Sequence, residues 1–212
     1  MKRNGIVLPH TKWIIVCLML GFTLHAQAQL LQTGPLCAQW INVDQSNAGD
    51  IPWQNPASAQ CDASEDHATA YSTAGRHYSQ RLRFTNFGLL VPRNAVVTGV
   101  EVVLIRRSGL GTSVTDRTVQ LMRDGIIVGQ NLRVSEKWDT EWTAVQYGGP
   151  NELWGIKWEG SDINNVNFGL AFDAEFNGPE DRAEIDQAKL TVYYQRTGNA
   201  TVQSASLSMR KP

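Results

Sequence analysis

The segment 91–107, VPRNAVVTGVEVVLIRR, constrains the fold of this chain more than any other stretch. After a Pro-Arg-Asn turn, its side chains alternate between two faces that are both largely apolar. One face carries Val96, Val100, Val102 and Leu104. The other carries Val97, Val103 and Ile105, interrupted by Gly99 and Glu101. A strand that is apolar on both sides belongs near the middle of a sheet, so the segment predicts a central β-strand.

Alternating segments recur from residue 78 to residue 194, and no helical period of ten residues appears among them. Asp124-Gly125 is a strong signal for a two-residue hairpin, and Ile185 is out of phase with the last strand, which predicts a bulge near Asp186. Seven or eight strands separated by turn signals predict an all-β fold, an antiparallel β-sandwich. Several connections are longer than hairpins, which favours a jelly-roll-like arrangement over a closed barrel.

The three most apolar strands supply the predicted core between the two sheets. Its members are Val96, Val100, Val102, Leu104, Phe168, Leu170, Phe172, Leu190 and Val192. On the strand that contains Phe168, Val166, Ala174 and Phe176 are also predicted to point inward, while Asp173 and Glu175 point outward.

The N-terminus has the order of a secretory signal peptide over residues 1–28. Lys2, Arg3 and Lys12 precede an apolar run at 13–24, and Ala26-Gln27-Ala28 supplies small residues for cleavage. The run is shorter than the ~20 residues of a membrane-spanning helix, although an N-terminal anchor is the alternative. We therefore expect a secreted, periplasmic or cell-surface protein. Residues 29–79 are predicted to be an irregular segment packed on the sandwich, 80–195 the sandwich domain, and 196–212 a flexible polar tail.

Charge and cysteine content limit which classes of partner the chain can bind and indicate the compartment in which it folds. Without residues 1–28 the chain keeps sixteen basic and twenty acidic residues and shows no basic cluster, which predicts that nucleic acid is not a partner. The absence of a second apolar span predicts no membrane span in the mature chain. Cys37 and Cys61 are the two cysteines that remain, which predicts a disulfide in an exported protein, with two unpaired buried thiols as the alternative.

Four stretches together resemble a known domain: RLRFTNFGLLVP at 81–92, VTGVEV at 97–102, YGGPNELWG at 147–155 and IDQAKLTVYY at 185–194. The chain resembles, over about residues 50–195, a β-sandwich domain of exported proteins of Bacteroidetes-type bacteria and of some phage structural proteins. The resemblance implies an extracellular or particle-surface module, and it brings no catalytic motif.

Catalytic chemistry has one candidate, the pair Asp139 and Glu141. On a strand these carboxylates would project from one face about 7 Å apart, within the range of a glycosidase acid and base. Solvated edge residues are the alternative. Signature motifs for nucleophilic, zinc or phosphate chemistry are missing from the sequence, and His67 and His77 are interpreted as loop or surface residues. We therefore predict that the protein is not an enzyme and keep a small glycan hydrolase as a weak alternative.

Binding has stronger support, because four tryptophans lie between residues 138 and 158. Tryptophan and tyrosine offer flat apolar area with a polar tip, which suits sugar rings and protein partners. The candidate ligand-binding residues are Trp138, Asp139, Glu141, Trp142, Tyr147 and Asn151. The alternative is a purely structural surface or particle domain whose aromatic rings all fill the core.

A calcium ion is the one cofactor that the sequence makes possible. Asp62, Glu65 and Asp66 form an acidic cluster in a loop, and calcium takes several carboxylate and carbonyl oxygens. The cluster lacks the spacing of a known calcium loop, so a solvated turn is the alternative.

Overall fold

The computed structural model describes residues 29–44, 49–61, 65–73, 75–111, 113–178 and 180–196. Within these residues the chain forms twelve β-strands, one turn of 3-10 helix at 56–58 and one short helix, α1 (Gly160–Ile163). The strands are β1 (Leu30–Cys37), β2 (Trp40–Asp44), β3 (Trp53–Gln54), β4 (Ala68–Ser72), β5 (His77–Tyr78), β6 (Arg81–Thr85), β7 (Ala95–Ser108), β8 (Val114–Arg123), β9 (Ile126–Val128), β10 (Thr143–Gly148), β11 (Gly169–Phe176) and β12 (Asp181–Arg196).

The strands form two antiparallel sheets of six. The first sheet has the order β10-β7-β12-β4-β3, with β1 also paired to β12. The second has the order β2-β6-β11-β8-β9, with β5 also paired to β11. From β6 to β12 the chain changes sheet at every connection except the β8–β9 hairpin, which turns at Asp124-Gly125. The predicted jelly-roll-like antiparallel β-sandwich is confirmed, and two open sheets take the place of a closed barrel.

β7 is a central strand, as its two apolar faces predict. It pairs with β10 on one side and with β12 along nearly its whole length on the other. The register shifts where Gly99 and Val97 face Tyr193 and Tyr194, so that one extra residue lies on β7. Such a bulge reverses the alternation of the residues before it. The prediction that Val96 lies in the core is therefore wrong: Val96 is 50% exposed, and Val97 is buried in its place.

The other eight predicted core residues are confirmed, each at most 1% exposed. Every residue of β11 is buried, including the outward-facing Asp173 and Glu175, which arginines cover. Nε of Arg81 donates to Asp173 at 2.9 Å, and Nε of Arg76 donates to Glu175 at 2.6 Å. Val166 precedes the strand and is exposed, against the prediction. The predicted bulge near Asp186 is confirmed by a register shift between Ile185 and Gln187.

Residues 29–79 are not irregular, and this prediction needs correction. They contribute β1 to β5, which pair with strands of both sheets. These strands have two to eight residues, and apart from the β3–β4 pair their partners lie outside the segment. Short strands at sheet edges carry mixed polar and apolar side chains without a clear alternation. Such strands are hard to detect from the sequence, because pairing with their partners defines them.

The predicted signal peptide at 1–28 and the tail beyond residue 196 lie outside the described residues. Among the residues that are described, no helix has both the length and the apolar character needed to cross a membrane.

The predicted disulfide between Cys37 and Cys61 is confirmed, with a Cα–Cα distance of 5.9 Å. It joins the end of β1 to the segment that follows the 3-10 turn, two parts separated by 24 residues.

Replacing both cysteines with serine is expected to lower the free energy of unfolding by about 3 kcal/mol, because a crosslink over a loop of this size restricts the unfolded chain. Urea unfolding of the double variant beside the parent measures the loss. Peptide mapping without reductant should find the two cysteine peptides joined. Two free thiols in the folded parent protein would contradict the pairing.

Candidate functional site

Trp138 and Tyr147 lie inside the sandwich, so the expectation that they present rings to a ligand is corrected. They are 1% and 2% exposed, and both donate to the buried carboxylate of Asp116. Nε1 of Trp138 is 2.9 Å from Oδ1 and the hydroxyl of Tyr147 is 2.8 Å from Oδ2. Nε of Arg106 lies 3.4 Å from Oδ1, and the backbone N–H of Val134 donates to Oδ2 at 3.2 Å. The buried polar groups of these side chains therefore find their hydrogen-bond partners within this network.

Burial raises the pKa of Asp116 above its ordinary value. The charge of Arg106 and the hydrogen bonds from Tyr147, Val134 and Trp138 offset only part of this shift. Burial and the adjacent Asp116 also raise the pKa of Tyr147, so its hydroxyl remains a donor. All the groups that contact Asp116 donate, which fits an ionised carboxylate at the centre of a structural network.

Six tryptophans follow residue 29, and four of them are buried. Trp154 donates from Nε1 to the carbonyl of Val100 at 2.9 Å, and Trp158 donates to the carbonyl of Leu153 at 3.0 Å. Trp53 is buried beside these core residues. Trp40 and Trp142 remain exposed, at 49% and 38%. The local density of tryptophan therefore reflects mainly core packing, with Trp142 as the exception between residues 138 and 158.

Trp142 lies on the outer surface of the first sheet, at the end of the loop that leads into β10. The loop is fixed on one side by buried Trp138 and by the carbonyl of Asp139, which accepts from the backbone N–H of Ser108 at 2.7 Å. The guanidinium carbon of Arg107 lies 4.4 Å from the ring centre of Trp142. The ring of His67 meets that of Trp142 edge-on, with the ring centres 5.3 Å apart. These contacts hold the indole in one place while part of it faces solvent.

Glu184 anchors the groups around Trp142. It is fully buried on β12, and it accepts from Nε of Arg107 and, at 3.1 Å, from Nη1 of Arg182. Nε2 of His67 lies 3.2 Å from its carboxylate. Burial raises the pKa of Glu184, but the hydrogen bond and charge of Arg107 and the charge of His67 outweigh burial and leave the pKa below its ordinary value. Glu184 is therefore ionised at neutral pH and orders the basic groups that contact it.

An open groove of about 650 Å³ runs beside the exposed indole. We refer to it as the Trp142 groove. The residues that line it are Glu65, His67, Ile105, Arg107, Trp142 and Asp186. One indole, one aliphatic side chain and four ionisable side chains thus face a common space.

The other predicted site residues are separated by the structure. Asp139 and Glu141 lie in a loop, because β10 begins only at Thr143. Oδ1 of Asp139 accepts from the backbone N–H of Glu141 at 3.3 Å, and both side chains are exposed. The expected placement of two carboxylates on one face of a strand is therefore wrong. Asn151 is exposed beyond the other end of β10. The length of this strand, roughly 17 Å, separates Asn151 from the loop that contains Asp139 and Glu141.

Two of the three calcium candidates, Glu65 and Asp66, precede β4. Glu65 and Asp66 are exposed, and Asp62 lies outside the described residues. Within the described part of the chain, no group of three or more acidic, histidine or cysteine side chains is arranged to hold a metal ion. Glu65 instead lines the Trp142 groove.

His67, Arg107 and Glu184 were not identified as site residues from the sequence. They come from three distant segments that only the sheet register brings together: Glu184 on β12 faces Arg107 on β7 and Thr69 on β4. The signal in the sequence is the charged Glu184 on the largely apolar strand β12, and this signal does not identify the side chains that Glu184 contacts.

No family model matches the chain, and no curated protein matches its sequence. The fold resembles solved carbohydrate-binding modules. One is TmCBM61 in complex with beta-1,4-galactotriose, with 15% identity, a TM-score of 0.38, and coverage of 71% of this chain and 86% of that one. Another is the CBM22-1 xylan-binding domain from Paenibacillus barcinonensis, with 12% identity, a TM-score of 0.36, and coverage of 78% and 95%.

A further match is the catalytic domain of a GH87 alpha-1,3-glucanase in complex with tetrasaccharides, with 12% identity and a TM-score of 0.21. It covers 77% of this chain but only 29% of the glucanase domain. Likenesses with TM-scores of 0.38 or less carry no argument about what this chain binds. The resemblance to exported Bacteroidetes-type and phage domains stays a prediction.

Proposed function

We propose that this chain is an exported, non-catalytic β-sandwich module that binds a glycan in the Trp142 groove. The observation that carries the proposal is an indole that is 38% exposed yet held by Arg107 and His67 beside an open, polar groove. An ordered aromatic face can stack on the apolar face of a sugar ring without losing much side-chain entropy on binding.

The groove also supplies groups for sugar hydroxyls. The carboxylates of Glu65 and Asp186 are acceptors, and the guanidinium of Arg107 offers N–H groups next to the indole. A protein partner would need about 800 Å² of surface on each side, with a core depleted in charge. A single indole among four ionisable side chains fits a small polyhydroxyl ligand better than such an interface.

Export is supported by the Cys37–Cys61 disulfide, since disulfides persist mainly in oxidising compartments. The non-catalytic part of the proposal is supported by the position of Asp139 and Glu141, which lie in a loop and hydrogen-bond to each other locally. The alternative is a structural surface domain with no ligand, in which Trp142 would only cover Arg107.

Replacing Trp142 with alanine is expected to abolish or weaken glycan binding by at least about tenfold, because central aromatic contacts carry much of the binding energy. A glycan array probed with the purified exported protein and with the variant measures the effect. Trp40→Ala is the matched control: Trp40 is also exposed, at 49%, but lies on β2 in the second sheet. It should bind as the parent does.

Thermal unfolding of both variants separates binding from stability. The melting temperature of Trp142→Ala should stay close to that of the parent, since the ring lies at the surface. If the parent binds no glycan, or if Trp142→Ala and Trp40→Ala lose binding equally, the Trp142 groove is not the glycan site.

A further inference from the structure

The outward face of β7 continues from the Trp142 groove toward a second aromatic residue. Leu104, Val102 and Val100 point into the core, so the residues that alternate with them, Ile105, Val103 and Glu101, face outward. Ile105 lines the groove. The neighbouring strand β10 presents Ala144 and Gln146 to solvent beside Ile105 and Val103.

Tyr193 lies at the far end of this face. It alternates with Val192 and Tyr194, which point inward, and its hydroxyl donates to Oε2 of Glu101 at 3.2 Å. Nε2 of Gln146 donates to the same oxygen at 3.1 Å. Three strands thus hold the tyrosine ring, an amide and a carboxylate in a fixed group.

The two aromatic residues are separated by several times the length of a sugar ring. Arg107 contacts Trp142, and Glu101 contacts Tyr193. Both lie on β7, and six strand residues from one to the other span roughly 20 Å. Between them lie the half-buried aliphatic side chains of Ile105 and Val103.

We propose that the ligand is a linear oligosaccharide of several units, which runs from Trp142 along the outward face of β7 to Tyr193. The inference rests on the proposed glycan-binding function and extends its site. Stacking at each end, aliphatic contacts between them and polar groups of Gln146 and Glu101 at one edge match a chain of rings with apolar faces and hydroxylated edges. A single sugar would reach only one of the two aromatic residues.

Isothermal titration with ladders of β-1,4-linked gluco-, xylo- and galacto-oligosaccharides, from two to six units, tests the proposal. For a ladder that binds, the affinity of the parent protein is expected to rise by about tenfold or more with length and then level off. Trp142→Ala should weaken binding at every length. Tyr193→Ala should weaken only the longer members, by about tenfold, while Tyr193→Phe, which keeps the ring, should retain most of the length dependence.

Gln146→Ala provides a second variant, on an exposed side chain. It tests the extended site if thermal unfolding shows that Tyr193→Ala is not folded. It too should weaken only the longer members. Affinity that is independent of length, or variants at Gln146 and Tyr193 that bind every length as the parent does, would overturn the extended site and leave the glycan site at Trp142 intact. If neither these ladders nor the glycan array yields a ligand, both the proposed function and the extended site fail.

Discussion

Replacing Asp116 with alanine is expected to lower the free energy of unfolding by about 3–5 kcal/mol, because the change leaves the buried guanidinium of Arg106 without its counter-charge. Arg106 is only 4% exposed, and its guanidinium carbon lies 4.5 Å from the ring centre of Trp138. The hydroxyl of Tyr147 and the indole N–H of Trp138 would also lose their acceptor. Chemical denaturation measures the loss.

A double variant provides the control for the Asp116 network. Substituting both Arg106 and Asp116 with leucine should recover part of the stability lost in Asp116→Ala, because no uncompensated charge then remains in the core. A loss below about 1 kcal/mol for Asp116→Ala would show that the network is hydrated and not part of the core. Additive losses in the double variant would show that Arg106 and Asp116 are not coupled.

Truncating Phe172 to alanine is expected to cost about 3–5 kcal/mol, since a fully buried ring in the centre of the second sheet leaves a cavity. Its ring centre lies 5.9 Å from that of Trp138, so the cavity would adjoin the Asp116 network. Phe168→Ala should behave alike, because Phe168 is 1% exposed against Trp158.

Leu90→Ala is the matched control for the core truncations. Leu90 is 75% exposed, and its truncation should change the free energy of unfolding by less than about 0.5 kcal/mol. Urea unfolding compares the variants directly. If both phenylalanine variants lost less than about 1 kcal/mol, β11 would not lie in the core.

Much of the fold could be predicted because long central strands have two apolar faces and keep their alternation. β7, β11 and β12 supplied the pattern that predicts a sandwich, and eight of the nine predicted core residues are buried. Val96 failed because a bulge on β7 reverses the alternation, and bulges depend on pairing that the strand alone does not reveal. The strands β1 to β5 were missed because they, too, depend on pairing, which the sequence of a single short strand does not reveal.

The candidate site was less predictable, because tryptophan has two roles that composition does not separate. Trp138 and Trp142 lie four residues apart, yet the first points into the core and the second out of it. The loop position of both residues removes the strand alternation that would have distinguished them. The groups that hold Trp142 meet only through the pairing of β12 with β7 and β4.

The indole N–H resonances of a protein that comprises residues 29–212 test the position of the glycan site most directly. Six tryptophans give six such signals, and Trp142→Phe assigns the one from Trp142. Titration with the best-binding oligosaccharide of the array should shift the Trp142 signal strongly and leave those of buried Trp154 and exposed Trp40 nearly unchanged. A titration in which Trp40 shifts and Trp142 does not would place the ligand on the second sheet and contradict the assignment of the Trp142 groove.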